Sequence, residues 1–180
     1  MVEKPNRKKR ELMYQGTILD IYKDTMEFAN GKTEEWDFVS HRMGAAAILP
    51  VLPDGRILMV RQYRNALERE TLEIPAGGLN GPDEPTDLAA ARELEEETGY
   101  RCELPEFLMS IRTTVAFCDE KIDIYVARNL IPSRQHLDED EFINVEAYTV
   151  DELVDMIYAG KLQDSKTVGA ILAYARKYGR

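Results

Sequence analysis

The chain has 180 residues, enough for one domain with a sizeable core, and its 33 acidic against 23 basic residues leave a net charge of −10. That balance excludes nucleic acid as the main partner, because binding to a phosphate backbone draws on clustered Lys and Arg; a phosphorylated small molecule stays open where a cation neutralises it. Cys102 and Cys118 are too few for a disulfide scaffold and fit a reducing, cytoplasmic setting, and the sequence has neither an apolar run long enough to span a bilayer nor a signal-peptide pattern, so no membrane partner is expected.

Lys4 to Arg10 is basic and polar and reads as a loose tail. Tyr14 to Phe28 mixes apolar and polar residues, Asn30-Gly31 is a strong tight-turn signal, and Thr33 to His41 returns with Trp36, Phe38 and Val39. This predicts an N-terminal β-hairpin over residues 1–42, ahead of a main domain over 43–180. Trp36, the only tryptophan, reads as a buried or interface anchor, and His41 as a strand-end residue without a catalytic role. Ala45 to Leu52 is an apolar run. Asp54-Gly55 predicts a second hairpin turn, with Ile57 to Tyr63 as the return strand. It ends in Arg61-Gln62-Tyr63-Arg64. Arginine forks onto phosphate oxygens, although Arg61 reads equally as a surface charge.

Leu67 to Glu70 reads as a polar loop, and Thr71 to Gly78 leads into a helix that starts near Thr86 or Asp87, either of which can cap it. Gly99 ends the helix, since glycine tolerates the left-handed turn. Glu93, Glu96 and Glu97 are spaced i, i+3, i+4 and share one face. Such a cluster is either a solvated acidic face or a holder of divalent cations. Phe107 to Thr114 and Lys121 to Ala127 read as strands, Gln135 to Glu141 as an acidic loop, and Ile143 to Tyr148 as a last strand. Val150 to Ala159 and Ser165 to Tyr178 read as helices whose apolar stripes belong to the core.

The stretch from Gly78 to Tyr100 decides between the two readings of the acids. Gly78, Glu84, Arg92, Glu93, Leu94, Glu96, Glu97, Gly99 and Tyr100 fit the Nudix hydrolase signature without a miss. Seven of these positions are fixed by identity, which makes a chance match on the order of one in a million for a chain of this length. The chain therefore resembles the Nudix hydrolases, and the segment Leu72-Glu73-Ile74-Pro75-Ala76-Gly77-Gly78 resembles their ADP-ribose pyrophosphatase branch.

The resemblance implies an α/β Nudix fold, an α/β/α sandwich with a mixed sheet, and an N-terminal β region that packs in a homodimer. It implies hydrolysis of a nucleoside diphosphate sugar, with ADP-ribose giving AMP and ribose 5-phosphate, in the presence of Mg (Mn as an alternative). Glu93, Glu96, Glu97 and the Ala76 carbonyl would hold the metals, with Glu141 as a further ligand. Glu139 would be the general base, with Glu96 a ligand or an orienting group beside it. Arg64 and Glu73 would hold the substrate, with Arg61 beside them and Trp36 as a stacking surface for adenine. Thr114-Val115-Ala116-Phe117 departs from the Ser-Pro-Gly-Phe usual in that branch. This leaves another substrate open, such as GDP-mannose or a dinucleotide. A non-catalytic nucleotide-sugar sensor is the alternative from another class; the complete set of acids argues against it.

Overall fold

The computed structural model describes residues 4–137 and 142–179. Strands and helices follow in the order β1 (Asn6–Gln15), β2 (Leu19–Glu27), β3 (Thr33–His41), β4 (Ala45–Pro50), β5 (Ile57–Arg64), β6 (Arg69–Glu73), β7 (Ala76–Gly78), α1 (Thr86–Thr98), β8 (Tyr100–Arg101), β9 (Glu106–Arg112), β10 (Lys121–Ala127), β11 (Ile131–Pro132), β12 (Asn144–Tyr148), α2 (Val150–Tyr158) and α3 (Ser165–Tyr178). They fall into two compact units, one formed by the N-terminal residues through Gly44 with Arg112–Lys121, the other by Ala45–Ile111 with the residues from Ile122 on.

The first unit is an antiparallel meander, β1-β2-β3, rather than a two-stranded hairpin. The basic segment expected to be a loose tail is its first strand. Charge pairing with β2 supplies what the apolar pattern lacks. Arg10 donates to both oxygens of Asp24 at 2.6 and 2.5 Å and lies over the Phe38 ring at 4.1 Å, and Lys8 meets Glu27 at 3.0 Å. Between β2 and β3, Gly31 takes φ +80° as the Asn-Gly signal requires. Residues 112–121 run beside β3: the Val39 N–H donates to the Phe117 carbonyl at 2.7 Å, and Asp119 accepts from the His41 N–H at 2.8 Å.

The second unit is an α/β/α sandwich. Its mixed sheet has the order β7-β4-β10-β9, with β4 parallel to β10 and antiparallel to β7. Successive side chains of a strand face opposite ways, and here both faces are covered. Ala47, Leu49, Ile122, Ile124 and Val126 join one core with Leu153 of α2 and Ile171 of α3. Ala46, Ile48, Tyr125 and Ala127 join the other with Ala89, Ala90 and Leu94 of α1. Burial on two faces is why Ala45 to Leu52 is apolar without alternation. A second, antiparallel sheet runs β12-β5-β6.

The Asp54-Gly55 turn is present, with Gly55 at φ +87°. The segments beside it meet at the Val51–Ile57 bridge and through the Leu52 N–H, which donates to the Arg56 carbonyl at 2.8 Å, and form no longer ladder, because β4 and β5 find their ladder partners in different sheets. The sequence reads Leu67 to Glu70 as loop, yet a short 3-10 turn over Asn65–Leu67 leads directly into β6. The α1 start also differs from expectation. Pro85 is the N-cap residue without a side-chain cap, and the Thr86 hydroxyl is drawn instead to Asp123 at 3.2 Å and Tyr125 at 2.7 Å. Gly99 closes the helix at φ 72°, ψ 23° as expected. Among the described residues no helix is long and apolar enough to cross a membrane, and both cysteines are free thiols.

Candidate active site

Burial of Leu94 and the alanines on one side of α1 turns its glutamates toward the strand β7. Glu93 and Glu97 are only 8% and 3% exposed, while Glu96 is more open. The Ala76 N–H donates to Glu97 Oε2 at 3.1 Å, which ties the strand residue with the expected ligand carbonyl to the helix. Gly77 allows the closest approach. A Cβ built on it would stand 2.1 Å from Glu93 Oε1, whereas one on Gly78 meets nothing within 4 Å.

Arg92 spans the acids. Its Nη1 donates to Glu93 at 2.6 Å and Glu96 at 2.8 Å, its Nε to Glu84 at 3.3 Å, and its Nη2 to the Gly78 carbonyl at 3.0 Å. Burial disfavours its charge, and the three carboxylates more than offset that and hold it protonated. Glu84 is kept below the usual carboxylate range, chiefly by the Asn80 N–H and then by Arg92. Among the described residues no three His, Cys, Asp or Glu side chains converge on one point at metal-holding distance; the guanidinium stands between them. A cavity of about 430 Å³ opens here, bordered by Ala76, Gly77, Glu93, Glu96 and, unanticipated, His136.

His136 arrives through a segment that caps the helix. The last carbonyls of a helix need outside donors. The His136 N–H reaches the Glu96 carbonyl at 2.9 Å, the Gln135 side chain reaches that of Glu97 at 2.6 Å, and the Ser133 N–H reaches that of Gly99 at 2.7 Å. Glu139 and Glu141, expected as base and ligand, lie outside the described residues.

The expected substrate group assembles on β5 and β6. Arg64 donates to both oxygens of Glu73 at 2.7 Å each. Glu73 is 2% exposed and also accepts from Thr71 at 2.6 Å and from Lys166. Burial opposes its charge, but Arg64, Lys166 and Thr71 outweigh it and draw the carboxyl down to about 2. Glu73, expected to touch the substrate, accepts from Arg64, Thr71 and Lys166 and so braces Arg64. Arg61 is paired with Glu146 across to β12, at 2.5 and 3.1 Å. Arg61 and Arg64 both border a cavity of about 420 Å³. Trp36 belongs to the other compact unit, where it is 44% exposed and lines an apolar cavity with Ile21, Val39 and Phe117. Nothing in the spacing of the sequence marks Lys166 or His136. The close approach of Glu93 to Gly77 likewise has no mark in the spacing of the sequence.

The NUDIX domain matches residues 41–168. The chain is 41% identical over 165 residues to the methanol dehydrogenase activator of Bacillus methanolicus, covering 91% of this chain and 88% of the relative. It is 37% identical over 164 residues to the ADP-ribose pyrophosphatase of Bacillus subtilis, covering 90% and 88%, and 31% identical over 167 residues to that of Mycobacterium tuberculosis, covering 91% and 79%. A crystal structure of an ADP compounds hydrolase superposes with a TM-score of 0.88 at 23% identity, covering 100% of this chain and 98% of the other, and so shares the fold. By its signature, its fold and these matches, the chain belongs to the NUDIX family.

Proposed function

We propose that the chain is a pyrophosphohydrolase that cleaves a nucleoside diphosphate sugar, ADP-ribose to AMP and ribose 5-phosphate, with Mg as the cation and as a homodimer in a reducing cytoplasm. The observation that carries this reading is the α1 face. Glu84, Glu93 and Glu96 gather around the Arg92 guanidinium, and Glu97 beside them accepts from the Ala76 N–H on the glycine-bearing strand β7. The carboxylates outnumber the guanidinium they surround, in a half-buried place, and hard oxygens of this kind fit a divalent cation. The space that a Cβ on Gly77 would fill is taken by Glu93. Two relatives named ADP-ribose pyrophosphatase, each matched over about nine-tenths of this chain, support the substrate.

Glu93, Glu97, Glu96 and the Ala76 carbonyl would hold the metal, with Glu141 in reserve. The bound cation offsets the diphosphate charge and makes a water more acidic. Glu139 takes the proton of the attacking water. The oxygen of that water bonds to one phosphorus as the bridging P–O bond breaks, and the bridging oxygen leaves on the other phosphate. Arg64, held by Glu73, fixes the diphosphate, and Trp36 offers its face to the base. A dimer formed through the exposed β1 edge is part of this proposal.

The test is chromatography of products after incubation with ADP-ribose and Mg, with GDP-mannose and NADH in parallel. AMP from ADP-ribose is expected, and cleavage of another diphosphate alone would move the substrate. One observation favours that second reading: Thr114 to Phe117 lacks the proline and glycine usual in the ADP-ribose branch, and a GDP-mannose pyrophosphatase of Yersinia enterocolitica is also similar, at 29% identity over 144 residues.

A further inference from the structure

The first turn of α3 is polar and buried. Lys166 is 7% exposed and Thr167 fully buried. Lys166 Nζ donates to Glu73 and, at 2.9 Å, to Asp164. Asp164 caps α3, accepting the Thr167 N–H at 3.1 Å and its hydroxyl at 2.5 Å. Thr167 Oγ1 then accepts the Ile74 N–H at 3.0 Å. The turn therefore grips the end of β6 at two adjacent residues. On one side of the grip, Glu73 holds Arg64; on the other, Ala76 is bonded to Glu97. A buried ammonium between two carboxylates is a weak device for stability, since apolar residues of similar volume often serve as well or better. Its effect here is geometric. With Nε and Nη2 of Arg64 fixed on Glu73, the guanidinium is held in one orientation where Arg64 borders the cavity.

We propose that Lys166 and Thr167 are positioning residues for the reaction. Lys166 sets the Glu73 carboxylate and through it the Arg64 guanidinium; Thr167 sets Ile74 and through it the Ala76 main chain against Glu97. The role of these groups in turnover, though not the linkage, rests on the pyrophosphohydrolase reading above.

The linkage is read without activity by 15N NMR of the Arg64 Nε–H, assigned by its loss in Arg64→Lys. It exchanges slowly with water in the wild type and about tenfold faster or more in Lys166→Met. Lys166→Gln, which likewise removes the ammonium but keeps a polar group in the buried turn, moves it in the same direction and serves if Lys166→Met does not fold. Thr167→Val speeds exchange at the Ala76 amide as well as at Ile74. In turnover of ADP-ribose, Lys166→Met raises KM about tenfold with kcat within about threefold, and adds nothing on an Arg64→Gln background. Unchanged Nε–H exchange in Lys166→Met, or in Lys166→Gln where Lys166→Met does not fold, overturns the Lys166 link, as does a full further rise in KM on the Arg64→Gln background. Faster exchange at Ile74 without change at Ala76 overturns the Thr167 link. Absence of ADP-ribose turnover in the wild type overturns the substrate reading instead, and the exchange measurements still decide the linkage.

Discussion

Gly77→Ala is a one-carbon perturbation aimed at a single carboxylate. The added Cβ would stand 2.1 Å from Glu93 Oε1, 2.3 Å from its Cδ and 2.6 Å from Oε2, well inside the 3.0 Å that such contacts essentially never breach. Glu93 cannot swing into solvent freely, because it is mostly buried and bonded to Arg92 at 2.6 Å. Relief of overpacking of this kind costs about 1–3 kcal/mol. Levied on the geometry proposed to hold the cation, this weakens divalent-cation affinity roughly 5- to 150-fold; levied on the fold, it lowers Tm by about 3–9 °C. Gly78→Ala is the matched control, since its Cβ meets nothing and neither glycine has the positive φ that only glycine takes readily. The assay is Mn titration by calorimetry alongside thermal melts. Wild-type affinity and Tm in Gly77→Ala, or equal damage in Gly78→Ala, would refute the reasoning.

Other perturbations separate the parts of the site. Glu73 ionises at about 2 when folded, below the ordinary 4.5, so its stabilisation is complete above pH 4.5 and is lost as pH falls through about 2. The gap corresponds to about 3 kcal/mol, and the stability difference between wild type and Glu73→Gln should at least halve between pH 5 and pH 3 in denaturant melts; a constant difference would contradict the assignment. Glu139→Gln should leave KM for ADP-ribose within about threefold and cut kcat by a factor of about 100 or more, and a normal rate would move the base elsewhere. Trp36→Ala should raise KM about tenfold with kcat little changed, as expected for loss of a stacking face; an unchanged KM would return Trp36 to a purely structural role.

The acidic helix and the lengths of most elements are legible in the residues, because i, i+3, i+4 spacing and two-faced apolar strands are local patterns. The unread features depend on contacts distant in sequence. The strand β1 looks like a basic tail until Asp24 and Phe38 appear beside Arg10. The Asp54-Gly55 turn is local and correct, whereas the sheet each flanking strand joins is not a local property. The resemblance gives Glu73 as a substrate contact, and only the arrival of Lys166 from 93 residues away reveals why it is buried. Lys166 itself sits beside an apolar helical stripe, where a lysine suggests solvent. His136 lacks any spacing to the acids, and it reaches them because the chain before it caps α1.

The most direct test of the central claim is the release of AMP from ADP-ribose at saturating Mg by the wild type and by Glu97→Gln. Glutamine keeps the volume and can still accept the Ala76 N–H while removing the charge. The account predicts rapid AMP release by the wild type and a rate at least about 100-fold lower in the variant, with an unchanged melt. Equal rates, or no AMP from the wild type, would contradict it.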